Sequence, residues 1–280
     1  MAAASPSVLT PPSVDGAGTG HANFGRLMLA EWTKLRSVRS TYWSLIALII
    51  VFPFFCWLIP YLTVSNWKQA TPTAQANLLA DPVGTILASG QFLGQLAVAV
   101  LGVMVTASEY STGMIRSTLL ASPHRVRMLA AKSVVFTLLI LAIGEAVSFV
   151  GFFIGRQTFK SLLTVNLDSG NIREVFGGGL YLAMLGLFAL ALGSLIRHVA
   201  GAITGIVALL LVVSNIISLI PGKVGKYLYT YEPTNAGFAI IAKHVPDNFL
   251  LSPWEGYGVF AAWTAALWIL AAWLLVRRDA

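Results

Sequence analysis

Glu145 is the one acid inside any of the long apolar runs of this chain. No other charge falls between Lys132 and Arg156. If that run crosses a bilayer, a carboxyl near its middle costs a few kcal/mol. Such a group faces a bundle interior or an aqueous cavity, or carries a proton. Its two uses are a substrate-contacting or proton-linked acid, and a structural carboxyl bonded to a neighbouring helix, with Ser148 one turn on as a partner. Gln91 and Gln95 are four residues apart, hence on one helix face, and Gly90 and Gly94 form a GxxxG beside them. Small residues let helices approach, and side-chain amides then bond across the contact. With Glu145, the two amides line a polar pathway or hold helices or protomers together. Gly144, Ser148, Gly151 and Gly155, like Gly201 and Gly205, read as packing stripes.

Nothing here has the spacing of an enzyme. There is no HExxH, no GxSxG and no Walker A sequence. His21, His124, His198 and His244 are scattered over tail and loops, none at metal-ligand spacing. One membrane acid is too few for an aspartyl dyad. The single cysteine, Cys56, excludes an internal disulfide and a Cys-rich metal site. No catalysis by this chain, no bound cofactor and no nucleic-acid partner are expected.

These groups must be positioned by long apolar elements. Charges are absent between Arg39 and Lys68, Asp81 and Glu109, Glu174 and Arg197, Arg197 and Lys223, and Glu255 and Arg277. Each run, and the one around Glu145, supplies the roughly 20 apolar residues that a membrane-crossing helix needs. Hydrophobic residues make up 57%, charged residues 10%, and mean hydropathy is +0.78. A soluble domain carries about 25% charged residues. The expected fold is an all-α membrane protein with six transmembrane helices at about 43–64, 86–107, 129–155, 176–196, 199–220 and 257–276. Residues 43–280 form one membrane domain with no separate soluble domain.

Eleven Lys/Arg flank one side of these spans: Arg26, Lys34, Arg36, Arg39, Arg116, Arg125, Arg127, Lys132, Arg197, Arg277 and Arg278. The other side has seven, and six acids nearly cancel them. The positive-inside rule therefore puts both termini in the cytoplasm, in a multi-pass protein of the plasma membrane. Residues 1–23, rich in Ala, Ser, Pro, Gly and Thr, read as a disordered tail with no cleaved signal. Residues 24–42 follow as an amphipathic interfacial helix, with Phe24, Leu27, Met28, Trp32, Leu35 and Val38 on one arc. Glu31 falls inside that arc, which a plain membrane anchor would not explain. On the far side, loop 65–85 with Pro72, Asp81 and Pro82 reads as irregular. Loop 221–256 holds a short helix capped by Thr234 or Asn235 and running to about Lys243.

The segment 107–128, ASEYSTGMIRSTLLASPHRVRM, is too apolar for a free loop. Ile115, Leu119 and Leu120 share a helix face, Arg116 lies opposite, and Pro123 ends the helix. It is either a docking element for a soluble partner or a plain connector.

Three segments together resemble the permease subunits of ABC-2 type (type V exporter) ATP-binding-cassette transporters, in their small bacterial form. Ala30–Trp43, AEWTKLRSVRSTYW, is similar to their amphipathic connecting helix. Ser108–Lys132 resembles their E-Y-x-x-G-x-I-R-x-T loop, which carries the coupling helix between spans 2 and 3. Tyr231–Ile240, YEPTNAGFAI, resembles the outer segment before their last span. The resemblance implies a separate ABC ATPase subunit, which binds the ATP and Mg, and a second permease chain, identical or related, enclosing the path. It implies a coupling role for Glu109, Tyr110, Gly113, Ile115, Arg116, Thr118 and Leu119, and a connecting-helix role for Glu31, Trp32, Lys34 and Arg36. Drug, lipid, peptide and polysaccharide substrates are all open. The alternatives are a membrane scaffold or sensor subunit that regulates a partner, and a secondary transporter. A secondary transporter usually shows two similar halves, and the first and last three spans show no convincing repeat.

Overall fold

The computed structural model describes residues 23–115, 124–243 and 249–277. Among these the regular structure is helical, without strands. The helices are α1 Phe24–Ser37, α2 Arg39–Ser65, α3 Pro72–Ala80, α4 Pro82–Ser111 and α5 Arg125–Phe159. They continue as α6 Ile172–Ile196, α7 Val199–Ser218, α8 Gly222–Tyr231, α9 Pro233–Phe238 and α10 Pro253–Arg277. Six of them, α2, α4, α5, α6, α7 and α10, are long and apolar enough to cross a membrane. The chain is a multi-pass membrane protein.

The helix ends follow local chemistry. Two prolines read from sequence as loop markers instead start helices. Thr71 accepts a hydrogen bond from the Ala74 amide, with Pro72 at the first position of α3. Asp81 accepts from the Gly84 amide at 2.7 Å, with Pro82 at the first position of α4. Proline fits there because its missing N–H is one that a helix start leaves unpaired anyway. So the segment expected to be irregular is a helix joined to the next by one capping acid. Loop 221–256 is likewise more helical than expected. The cap of α9 is Glu232, not Thr234 or Asn235: its carboxylate accepts from the Asn235 amide at 2.7 Å and from the Thr234 hydroxyl. The interfacial helix stops at Ser37, because Val38 is extended, and the first span begins at Arg39 rather than Trp43. Within α7, residues Leu209–Val213 form a π-helical turn.

Helix α6 is the centre of the bundle. It packs most extensively on α4 and α5, which also hold α2. Its glycines permit this closeness: a Cβ on Gly193 would collide with Thr106 and Val103 of α4, and one on Gly179 would overlap the Glu145 carboxyl of α5. Cys56 of α2 fills the gap between Gly90 of α4 and Gly151 of α5, is fully buried, and donates to the Ile86 carbonyl. The lone thiol is therefore a packing group.

Candidate functional site: a charged junction at one end of the bundle

Helix α1 meets the bundle through four charges. Glu31 lies on the arc of α1 that faces inward, and only 5% of it is exposed. Opposite stand Glu109, near the end of α4, and Lys132, two turns into α5, each 3% exposed. The Lys132 ammonium reaches Glu109 Oε1 at 2.6 Å, Glu31 Oε2 at 3.0 Å and the Val105 carbonyl at 3.3 Å. Those acceptors occupy all three of its protons. Lys34 closes the ring from α1, at 2.8 Å from Glu31 Oε1 and 3.3 Å from Glu109 Oε1. Two acids and two lysines thus balance each other, with Lys34 part-exposed and the other three buried, and paired charge is the kind that burial tolerates. Burial alone would lower the Lys34 pKa, but the two carboxylates outweigh it and hold the ammonium above its ordinary value. Beside the ring a narrow cleft of about 40 Å³ opens between α1, α2 and α4, with room for a few waters at most.

Sequence reasoning grouped Glu31 and Lys34 with Trp32 and Arg36, and the structure separates them. Glu31 and Lys34 enter the junction. Trp32 and Arg36 stay exposed, the guanidinium 6.0 Å from the indole. Glu109 pairs with Lys132 and Lys34. Lys132 carried no assigned role, although a lysine one turn inside an apolar run is itself a signal that an acid must meet it.

Around this ring, arginines tie the remaining helix ends together. Arg197, in the turn between α6 and α7, has left-handed backbone geometry with φ 58°. Its guanidinium lies 4.8 Å from the Tyr110 ring and donates to the Leu274 carbonyl at 3.5 Å. Arg125, at the start of α5, donates to the Leu275 carbonyl at 2.9 Å. Both acceptors belong to the last turn of α10, whose carbonyls have no partner within the helix and whose dipole favours cations. Thus α1, α4, α5, α10 and the α6–α7 turn are joined at one end of the bundle. Gly113 follows α4 with φ 73° and allows the chain to turn away. Ile115, expected to offer its side chain to a partner, is 4% exposed and belongs to the core of this chain. Arg116, Thr118 and Leu119, with the expected coupling helix, lie outside the described residues.

The membrane-embedded polar groups form a separate set, directed at α6. Gln91 is fully buried and donates to the Gly178 carbonyl at 2.9 Å. Gln95 is 8% exposed and accepts from the Tyr181 hydroxyl at 2.7 Å. The amide pair therefore joins two helices of one chain. Ser148, suggested as a partner for Glu145, donates instead to the Val175 carbonyl at 2.5 Å. Glu145 Oε2 is buried without a hydrogen-bond partner, as are both oxygens of Glu174, a fully buried acid that sequence reasoning passed over because it sits at a span end. Among the described residues no cluster of three metal-ligating side chains occurs. Comparison with family models and with curated proteins returns no match to this chain.

Proposed function

We propose that this chain is the permease subunit of an ABC-2 type exporter, a plasma-membrane protein with cytoplasmic termini, driven by a separate ATPase and paired with a second permease chain. The observation that carries the reading is the ring of Glu31, Lys34, Glu109 and Lys132, all but Lys34 buried. A plain membrane anchor has no use for an acid on its apolar face. A lever does, because four mutually paired charges make an amphipathic helix and the ends of two spans move as one body. Displacement of α1, or of the segment after Gly113, is then passed directly to α4 and α5. In this reading Lys132 is a transmission residue beside Glu31, Lys34 and Glu109, while Tyr110 and Arg197 extend the linkage to α6, α7 and α10. The dense basic flanks of this end support its cytoplasmic placement.

The test is co-expression with candidate ABC ATPases from the same genome. A complex should co-purify, and its ATP hydrolysis should respond to Lys132→Met combined with Glu109→Leu, a pair that removes one cation and one anion together. Unchanged coupling in that double variant would overturn the lever. Failure of every candidate ATPase to bind, with a membrane kinase captured instead, would replace transport by the sensor reading.

A further inference from the structure

We propose that the end of the bundle remote from the charged junction holds a binding site for an organic monocation of aromatic or benzylic type. Asp81 and Glu109 lie at opposite ends of α4, roughly 40 Å apart at the rise of an α-helix, so this site is distinct from the junction and does not depend on the permease reading. A cavity of about 340 Å³ opens there between α4, α8, the stretch from α9 to Ala242, and Phe249. Its volume lies within the usual range for small-molecule sites. Asp81, Thr85, Tyr229, Asn235, Phe238 and Phe249 line it.

The chemistry of this lining is specific. Asp81 is the one charged residue among the described residues that line it. Its two oxygens accept from the Gly84 and Lys243 amides, each at 2.7 Å. Each carboxylate oxygen has a second lone-pair direction, so the acid can meet a cation without losing its cap. Tyr229 and Phe249 stand edge to face, with ring centroids 6.4 Å apart, and Phe238 adds a third aromatic wall. A carboxylate with aromatic faces attracts quaternary and protonated amines, whose charge the ring quadrupoles also stabilise. Behind the wall, Glu174 is fully buried and interacts with Asp81. The Arg173 guanidinium donates to the carbonyls of Ile240 at 3.0 Å and Ala242 at 2.9 Å, bracing the wall, and Lys243 is exposed.

The probe is benzyltrimethylammonium, with neopentylbenzene as its neutral isostere. Binding is read by ligand-observed NMR on the full chain in nanodiscs, against empty nanodiscs. The ammonium should bind saturably, and the isostere should not displace it. Asp81→Asn keeps a helix-capping side chain and should weaken binding about tenfold or more. Phe249→Leu and Tyr229→Leu, each a partly exposed wall residue, should each weaken it several-fold, in line with a cation–π contribution of about 1 kcal/mol. If Asp81→Asn unfolds the chain, the two aromatic variants still decide. Equal displacement by the neutral isostere, or unchanged affinity in the folded variants, overturns the proposal. Co-purification of an ATPase tests the permease reading separately, so either idea can fail alone.

Discussion

The two ends of α4 and the interior beside it treat acids in opposite ways. At the junction, Glu31 and Glu109 meet two lysines, and every proton of Lys132 has an acceptor. In the interior, one oxygen of Glu145 on α5 and both oxygens of Glu174 on α6 are buried without a hydrogen-bond donor. A matched ring fixes geometry, because moving any member strands the others. An acid without a bonded partner fixes little. Stability should therefore be concentrated in the first set.

The contrast is broken most strongly at Lys132. Lys132→Met leaves two buried carboxylates facing each other with Lys34 as their remaining partner in the ring. The expected loss is about 3–5 kcal/mol, read as a lowered thermal midpoint in nanodiscs. Adding Glu109→Leu should restore most of it, since a pair removed together strands less charge. A second step lies at Arg197. Arg197→Ala removes the contact with Tyr110 and the bond to α10 yet keeps the strained backbone, and should cost about 2 kcal/mol. Arg197→Gly loses the same contacts but relieves the left-handed geometry, and should recover roughly 1 kcal/mol of that. If alanine and glycine are equal, the backbone at 197 carries no strain.

Smaller effects sharpen the comparison. Glu145→Gln and Glu174→Gln should each change stability by less than about 1 kcal/mol, because no partner is lost. A large destabilisation in either would reveal a hidden partner and place that acid with the matched set. The pH response is the smallest expected effect. With its pKa raised, Lys34 contributes in full below the unfolded lysine value of about 10.4 and loses that contribution as pH rises through the higher folded value. Its link from α1 to Glu109 of α4 should therefore hold unchanged between pH 7 and 9 and loosen above about pH 10. A spin label on exposed Ser37 would register the change in mobility.

The spans were legible in the sequence because membrane-crossing length and charge exclusion are properties of single segments. All six lie where the apolar runs put them, extended by a few residues at most ends. The earlier start of α4 follows its Asp81 cap, and the Thr71–Pro72 and Asp81–Pro82 pairs were there to be read as helix starts. Half of the junction was legible as well. Glu31 on an apolar arc announced a partner, but nothing local identified it as Lys132, because that partner comes from a span separated from α1 by two others. The same limit hid the direction of Gln91 and Gln95. Spacing showed that they share a face, whereas which helix that face meets depends on how α6 is seated.

Cys56 gives the bundle a built-in clock. Its thiol is sealed by Phe52 and by the glycines of α4 and α5, with no surface for a reagent to reach. A maleimide can react only during moments when α2 separates from those helices, so the reaction rate counts such openings and reports their free energy. Cysteines introduced at exposed positions such as Ser37 and Lys223 will label long before it does. The same silent thiol that leaves the surface free for two-sided labelling thus records, over hours, how often the membrane core breathes.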